Sequence, residues 1–139
     1  VGQIVRYDYL WRDEQLQGKI EGTKERPCAV SVAVQSQNDG SFTVLLAPIT
    51  HSSKQANNAA IIIPEQAKTI KGLDEDQSWL LTTEVNAVSW LDPGIVPAKK
   101  GQWIYGYLPR GIVRKAVDTI LKFGREKKLK TIDRREGTD

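Results

Sequence analysis

After Gly2, the run Gln3-Ile4-Val5-Arg6-Tyr7-Asp8-Tyr9 mixes polar and apolar positions with the short period of a strand. Residues 10–24 are polar and carry Gly18 and Gly22, which predicts a long mobile loop of the kind that serves as a lid or binding loop. Arg26-Pro27 then leads into residues 28–34, a β-branched strand. Residues 35–40 form a turn, with Asp39-Gly40 as the hairpin signal, and residues 41–49 are the return strand. Residues 59–64 predict a short strand ending at Pro64. In residues 80–88, Leu81, Thr83, Val85 and Ala87 share one face and Thr82, Glu84, Asn86 and Val88 the other. Asp92-Pro93-Gly94 is a turn, and residues 103–108 predict one more short strand. Short strands separated by turns at this spacing suggest a small, partly open barrel.

The period changes after Pro109. Ile112, Val113, Ala116, Val117, Ile120 and Leu121 recur at helical spacing, with Pro109 suited to the first turn and Gly124 to the stop. The chain thus reads as a mainly β domain with a C-terminal helix over residues 1–124, followed by a charged, flexible tail over residues 125–139.

A length of 139 residues suits one domain with its own core. The apolar runs are too short for a membrane-spanning helix. Residues 1–10 hold Arg6 and Asp8 and lack the apolar centre of a secretory signal. Cys28, the single cysteine, lies in a strand-like run; this fits a buried thiol and a cytoplasmic location. Cys28 and His51 alone are too few for a structural zinc site, and no metal or cofactor is expected. The net charge of +3 conceals an asymmetry. Residues 1–98 carry 8 Lys/Arg against 12 Asp/Glu, whereas residues 99–139 carry 12 against 5. Such a basic end suggests a polyanion or an acidic protein as partner, or simply a solvated helix and tail.

Two stretches join an apolar strand to a group able to meet phosphate: Arg26 before residues 28–34, and Thr50 after residues 44–49. In neighbouring strands, their guanidinium and hydroxyl would lie at one sheet edge. Taken singly, Arg26 also fits a surface ion pair with Glu25 or Glu21, and Thr50 a strand-end cap. Arginine donates a planar fork of hydrogen bonds to phosphate and stays charged. A hydroxyl is a poor base, so Thr50 needs a proton acceptor; His51, Glu84 or a second arginine are the options. Ser52, Ser53, Lys54, Lys19 and Lys24 suit contacts to an RNA backbone. Tyr7, Tyr9 and Trp11 offer stacking surfaces for unpaired bases or belong to the core, and Trp79, Trp90 and Trp103 are assigned to core or interface.

In order and spacing, Gly2-Gln3-Ile4-Val5, Arg26-Pro27, Pro48-Ile49-Thr50, Leu80-Leu81-Thr82-Thr83-Glu84-Val85 and the C-terminal helix resemble the MazF/PemK family of toxins from bacterial toxin–antitoxin pairs. The resemblance covers residues 2–123. It implies an SH3-like barrel shared with CcdB, a homodimer, and a metal-independent endoribonuclease that cuts single-stranded RNA and is held in check by a cognate antitoxin. It places the catalytic arginine at Arg26 and the catalytic threonine at Thr50, with Glu84 where relatives often have glutamine. The chain departs from that pattern in its longer first loop, its basic tail, and Asn86 and Ser89-Trp90 in place of Arg-Thr-Ile-Asp; Asn86 thereby joins the candidate RNA contacts. Two other classes fit the same barrel: a non-enzymatic CcdB-like protein that poisons a protein target, and an SH3-like nucleic-acid-binding module.

Overall fold

In the computed structural model, which describes residues 2–19, 22, 26–50, 60–63, 78–90, 95–96 and 104–135, the chain is mainly β with one long C-terminal helix. The elements are β1 (Gln3–Tyr7), α1 (Arg12–Leu16), β2 (Arg26–Gln35), β3 (Phe42–Thr50), β4 (Ile61–Ile62), β5 (Trp79–Leu80), β6 (Glu84–Ser89), β7 (Ile95–Val96), β8 (Ile104–Tyr107), α2 (Arg110–Arg125) and β9 (Lys130–Asp133). Seven of these strands, β1, β2, β3, β6, β7, β8 and β9, pair in one sheet. Its centre runs β1–β2–β3–β6; β7 and β8 flank β1 and β9 flanks β6. All pairs are antiparallel except β6 with β9. Among the described residues the sheet does not close on itself.

β3 is the strand around which the sheet divides. Its first half pairs with β6, through Val44↔Val88 and Leu46↔Asn86. Its end leaves β6 and pairs with β5, through Ile49↔Leu80 and Thr50↔Trp79, and β5 in turn pairs with β4. The stretch 80–88, expected as one strand, is therefore two pieces. Residues 81–83 carry the chain from one partner to the other, tied midway by the Leu81 N–H to the Pro48 carbonyl at 3.0 Å.

Both sheet faces are covered. On one, Ile4, Ala29, Ala47, Ile49, Leu80 and Val85 pack with Ala116 and Ile120 of α2. On the other, Val5, Cys28, Val30, Val44, Leu46 and Val88 pack with Tyr7, Tyr9 and Trp11. A β-bulge divides β2 between these cores. The register shifts between Val30 and Val32, and the extra residue, Ser31, turns its hydroxyl to the Leu45 carbonyl at 2.9 Å. Val30 thus faces one core while Val32 packs against the other.

Several sequence expectations change here. The polar stretch after β1 is not wholly loop: Leu10 and Trp11 are buried, and residues 12–16 form the single turn α1, whose start is fixed by the Trp11 N–H donating to the Glu14 carboxylate at 3.1 Å. The helix does not stop at Gly124. It runs to Arg125 and closes with the Lys127 N–H on the Gly124 carbonyl at 3.2 Å and the Lys128 N–H on the Phe123 carbonyl at 2.8 Å. This is a Schellman ending, with Lys127 at φ +59° in the left-handed position where glycine is usual. Residues 130–133 of the expected flexible tail are strand β9, with Ile132 fully buried. The turn Asp92-Pro93-Gly94 and Trp103 lie outside the described residues.

Gly124 is a helical glycine, and a Cβ there would meet Leu129 Cδ2 at an ordinary 3.9 Å. Gly124→Ala should therefore raise stability by about 1 kcal/mol through helix propensity. Lys127→Gly should add about 0.5 kcal/mol by relieving the positive φ, net of the greater freedom of the unfolded chain. Thermal unfolding of the two variants checks both values; a lower midpoint for Lys127→Gly would remove this account of the helix end.

Candidate functional site

Cys28↔Pro48 is the last pair of β2 with β3, so Arg26 at the start of β2 and Thr50 at the end of β3 each lie two residues beyond it, at the same end of the sheet. On its other side Arg26 pairs with Tyr7. Residues level across a sheet share a face. Arg26, Cys28 and Val30 alternate onto the aromatic-covered face. Val44, Leu46 and Thr50 reach it from β3, and Glu84, Asn86 and Val88 from β6. Sequence alternation thus brings Arg26, Thr50, Glu84 and Asn86 onto one face, three of them at its strand ends.

Residues 8–12 cross this face as a cover, and side chains pin them. Asn86 is fully buried; its Oδ1 accepts from the Leu10 N–H at 2.9 Å and its Nδ2 donates to the Leu10 carbonyl at 2.9 Å. The Glu84 Oε1 accepts from the Tyr9 hydroxyl at 2.9 Å and the Arg12 N–H at 3.2 Å. Arg134, just beyond β9, donates from Nη1 to the Asp8 carbonyl at 2.9 Å and to Asn86 Oδ1 at 3.1 Å, and from Nη2 to the Asp8 carboxylate at 3.2 Å. Its guanidinium lies 5.1 Å from the Tyr7 ring centre, and its side chain is only 9% exposed.

Arg26 is held from the same cover. Its guanidinium lies 4.9 Å from the Trp11 ring centre, a cation–π contact, and Trp11 stands edge-on to Tyr9 with ring centres 4.9 Å apart. Arg26 is half-buried, and its Nε is enclosed without a hydrogen-bond partner among the described residues. A buried donor left unused costs free energy unless something else accepts from it. Thr50 is 4% exposed.

The electrostatics follow from burial. Burial raises the Glu84 carboxyl above its ordinary range, against the lowering effect of the hydrogen bonds from Tyr9 and the Arg12 N–H. Burial, then the nearby Glu84 charge, push the Tyr9 hydroxyl well above its ordinary value, so it remains a donor. Burial also pushes the Cys28 thiol far up, despite the opposing field of Arg26, and the thiol stays protonated and unreactive.

The other candidates divide. Asn86, read as an RNA contact, is corrected: it is buried and both ends of its amide are engaged by Leu10. Tyr7 and Tyr9 are core residues, not open stacking surfaces, whereas Trp90 is exposed at the far end of the sheet. Lys19 is exposed and lies 3.9 Å from the Glu14 carboxylate. His51, Ser52, Ser53, Lys54 and Lys24 lie outside the described residues. Asp8, Trp11 and Arg134 were not singled out as parts of this constellation. Asn86 did leave a trace in the sequence, an amide within the apolar run Val85-Asn86-Ala87-Val88, whereas Arg134 left none in its charged surroundings.

No protein-family model matches the chain, and no curated protein does.

Two outcomes test this geometry. Arg134→Ala should lower stability by about 2 kcal/mol, the range for hydrogen bonds to charged groups, and speed hydrogen exchange at the Leu10 and Arg12 amides. Unchanged exchange there would mean that Asn86 and Glu84 hold the cover unaided. For Glu84, a carboxyl whose folded pKa exceeds its unfolded value binds protons better when folded, so its ionisation opposes folding as pH rises. Its contribution to stability should fall as pH climbs from 4.5, where the unfolded group titrates, through the raised folded value, and then level off. Glu84→Gln keeps an acceptor for Tyr9 but has no such titration. Its stability relative to wild type, from urea unfolding, should therefore rise through that window; a difference independent of pH would contradict the assignment.

Proposed function

We propose that this chain is an endoribonuclease of the toxin–antitoxin kind, cutting single-stranded RNA without a metal by attack of the RNA's own 2′-OH on the adjacent phosphate. In this reading the sheet belongs with the SH3-like barrels of the MazF/PemK and CcdB toxins. The protein works as a cytoplasmic homodimer, and a cognate antitoxin holds it inactive.

The observation that carries the reading is Arg26. Its guanidinium is braced against Trp11, its Nε has no hydrogen-bond partner among the described residues, and it shares a sheet face with Thr50, each at a strand end. An arginine fixed in this way can receive a phosphoryl group and stabilise the charge that builds on its oxygens, often the largest single term in such catalysis. Thr50 orients the 2′-OH. It lies beneath the surface, so Arg26, half-exposed, is the group that a phosphate meets first. Glu84 has its basicity raised by burial and faces the same side of the sheet, which supports it as the proton acceptor of the reaction. The reaction balances: the 2′-OH gives up its proton to the base as its oxygen bonds to phosphorus, the P–O5′ bond breaks and the 5′-oxygen takes up a proton from solvent, and a 2′,3′-cyclic phosphate remains.

The test is incubation with a long single-stranded RNA in EDTA. Wild type should cleave it and leave 2′,3′-cyclic phosphate ends. Arg26→Ala should be slower by on the order of a hundredfold or more. Thr50→Val, which preserves packing, should also lose activity. Intact RNA with wild type, in a preparation whose mass spectrum contains this chain alone, would sink the proposal. Inhibition of a purified protein target by that same preparation would instead favour a CcdB-like poison.

A further inference from the structure

The helix α2 is amphipathic, and its outer arc has no role in the site described above. Ala116 and Ile120 are buried against the sheet, with Ile112 and Val113 packed beside them. That core lies on the sheet face opposite Arg26 and Glu84, so the outer arc belongs to a different surface. At about 100° per residue, Arg110, Arg114 and Arg125 fall within roughly 60° of one another, and Lys115 and Lys122 within roughly 80° further round. All five are exposed. Lys127, Lys128 and Lys130 continue the positive charge past the helix end and are exposed as well. Over residues 110–130 there are 8 Lys/Arg against Asp118 and Glu126 alone. Glu126 lies 3.4 Å from Lys128, and no ion pair joins the five helix cations to an acid among the described residues.

This arrangement is not what helix stability would choose. Cations favour the last turn of a helix, which accounts for Lys122 and Arg125. The first turn of α2 carries Arg110 and no acid, and Arg114 follows one turn later, so these two face both the helix dipole and each other. A local choice made against stability is a mark of function. We propose that the outer arc of α2, with the lysines that follow it, is a second binding surface that takes the sugar–phosphate backbone of single-stranded nucleic acid.

Other occupants fit less well. A membrane-surface helix needs a free apolar face, and the apolar face of α2 is in the core. A protein partner needs an apolar centre to its interface, and within this arc the only large exposed apolar side chain is Leu121. A nucleic-acid backbone needs mainly positive charge along a line, with arginines to grip phosphate. Tyr107, 58% exposed just before the helix, adds a ring on which a base can stack.

The test uses the full chain carrying Arg26→Ala, in EDTA, so that cleavage does not intrude. Binding of a fluorescent oligouridine is followed by anisotropy across a series of salt concentrations. The parent should bind, with a logarithmic salt slope that becomes shallower by about 2 when Arg110→Gln, Arg114→Gln and Arg125→Gln are combined, since each lost phosphate contact removes about 0.7. These exposed changes leave the fold intact, which circular dichroism verifies. Asp118→Asn removes the one acid within the arc and should tighten binding. An unchanged slope in the triple variant, no binding by the parent at low salt, or equally tight binding of polyglutamate would each overturn the proposal, the last by marking an acidic-protein surface. Restoring Arg26 separates the two readings: cleavage by the wild type with an unchanged slope in the triple variant leaves the nuclease reading intact and removes only this surface.

Discussion

The structure depends on one buried amide. Asn86 sits in the middle of a strand, fully enclosed, and uses its side chain as a neighbouring strand would use its backbone, giving one hydrogen bond to Leu10 and taking one from it. Either half left unmade would strand a polar group in the core, at a cost of about 1–3 kcal/mol. This pair fixes where residues 8–12 cross the sheet. That crossing delivers Tyr9 to Glu84, Trp11 to Arg26 and Asp8 to Arg134. A hydrophobic residue at position 86 would fill the volume without setting the register of the cover.

The two sheet faces have separate tasks. The face under α2 is almost wholly aliphatic and carries little besides packing. The other mixes aromatics with a thiol, two arginines and two carboxylates, held in order by short polar links. Such a mixed face is expensive to build, because each charged group loses solvation. The expense is met through pairing, and Arg26 Nε and Asp8 Oδ1 are the buried side-chain atoms still without partners among the described residues.

Much of this was legible in the sequence. Patterning located the central hairpin, the N-terminal strand and the long helix, because each buries a periodic set of aliphatic side chains. The faces of β6 were legible too, with Val85 on one side and Val88 on the other, but Leu81, expected beside Val85, packs with Val88 because residues 81–83 break the strand. The bulge at Ser31 was not, because a one-residue slip between β-branched residues leaves no mark in composition. β9 was hidden because Ile132 is its single buried residue, and its place comes from backbone pairing with β6. The helix end was legible to within a residue, but its cause was not: the Lys127 turn sets the stop, and Gly124 is a helical residue like its neighbours. Of the site, Arg26 and Thr50 could be named from their positions at strand ends, and alternation along β2 and β3 puts them on one face. The cover could not, since residues 8–9 read as the end of the first strand and residues 10–24 as loop until Asn86, Glu84 and Arg134 are known to hold residues 8–12 across the sheet.

The parallel strand β9 and the β1–β8 pairing have a consequence for synthesis. Gln3 pairs with Tyr107, and Asp8 meets an arginine 126 positions later. On the ribosome the hairpin of β2 and β3 can form early, with β1 beside it. Both margins of that small sheet then stay open while the rest of the chain is made, for on the order of ten seconds at ordinary elongation rates. An open sheet margin is a template for pairing with another chain. The nascent protein is therefore most exposed to mispairing before α2 emerges, and the last described residues to leave the ribosome are those that seal the fold.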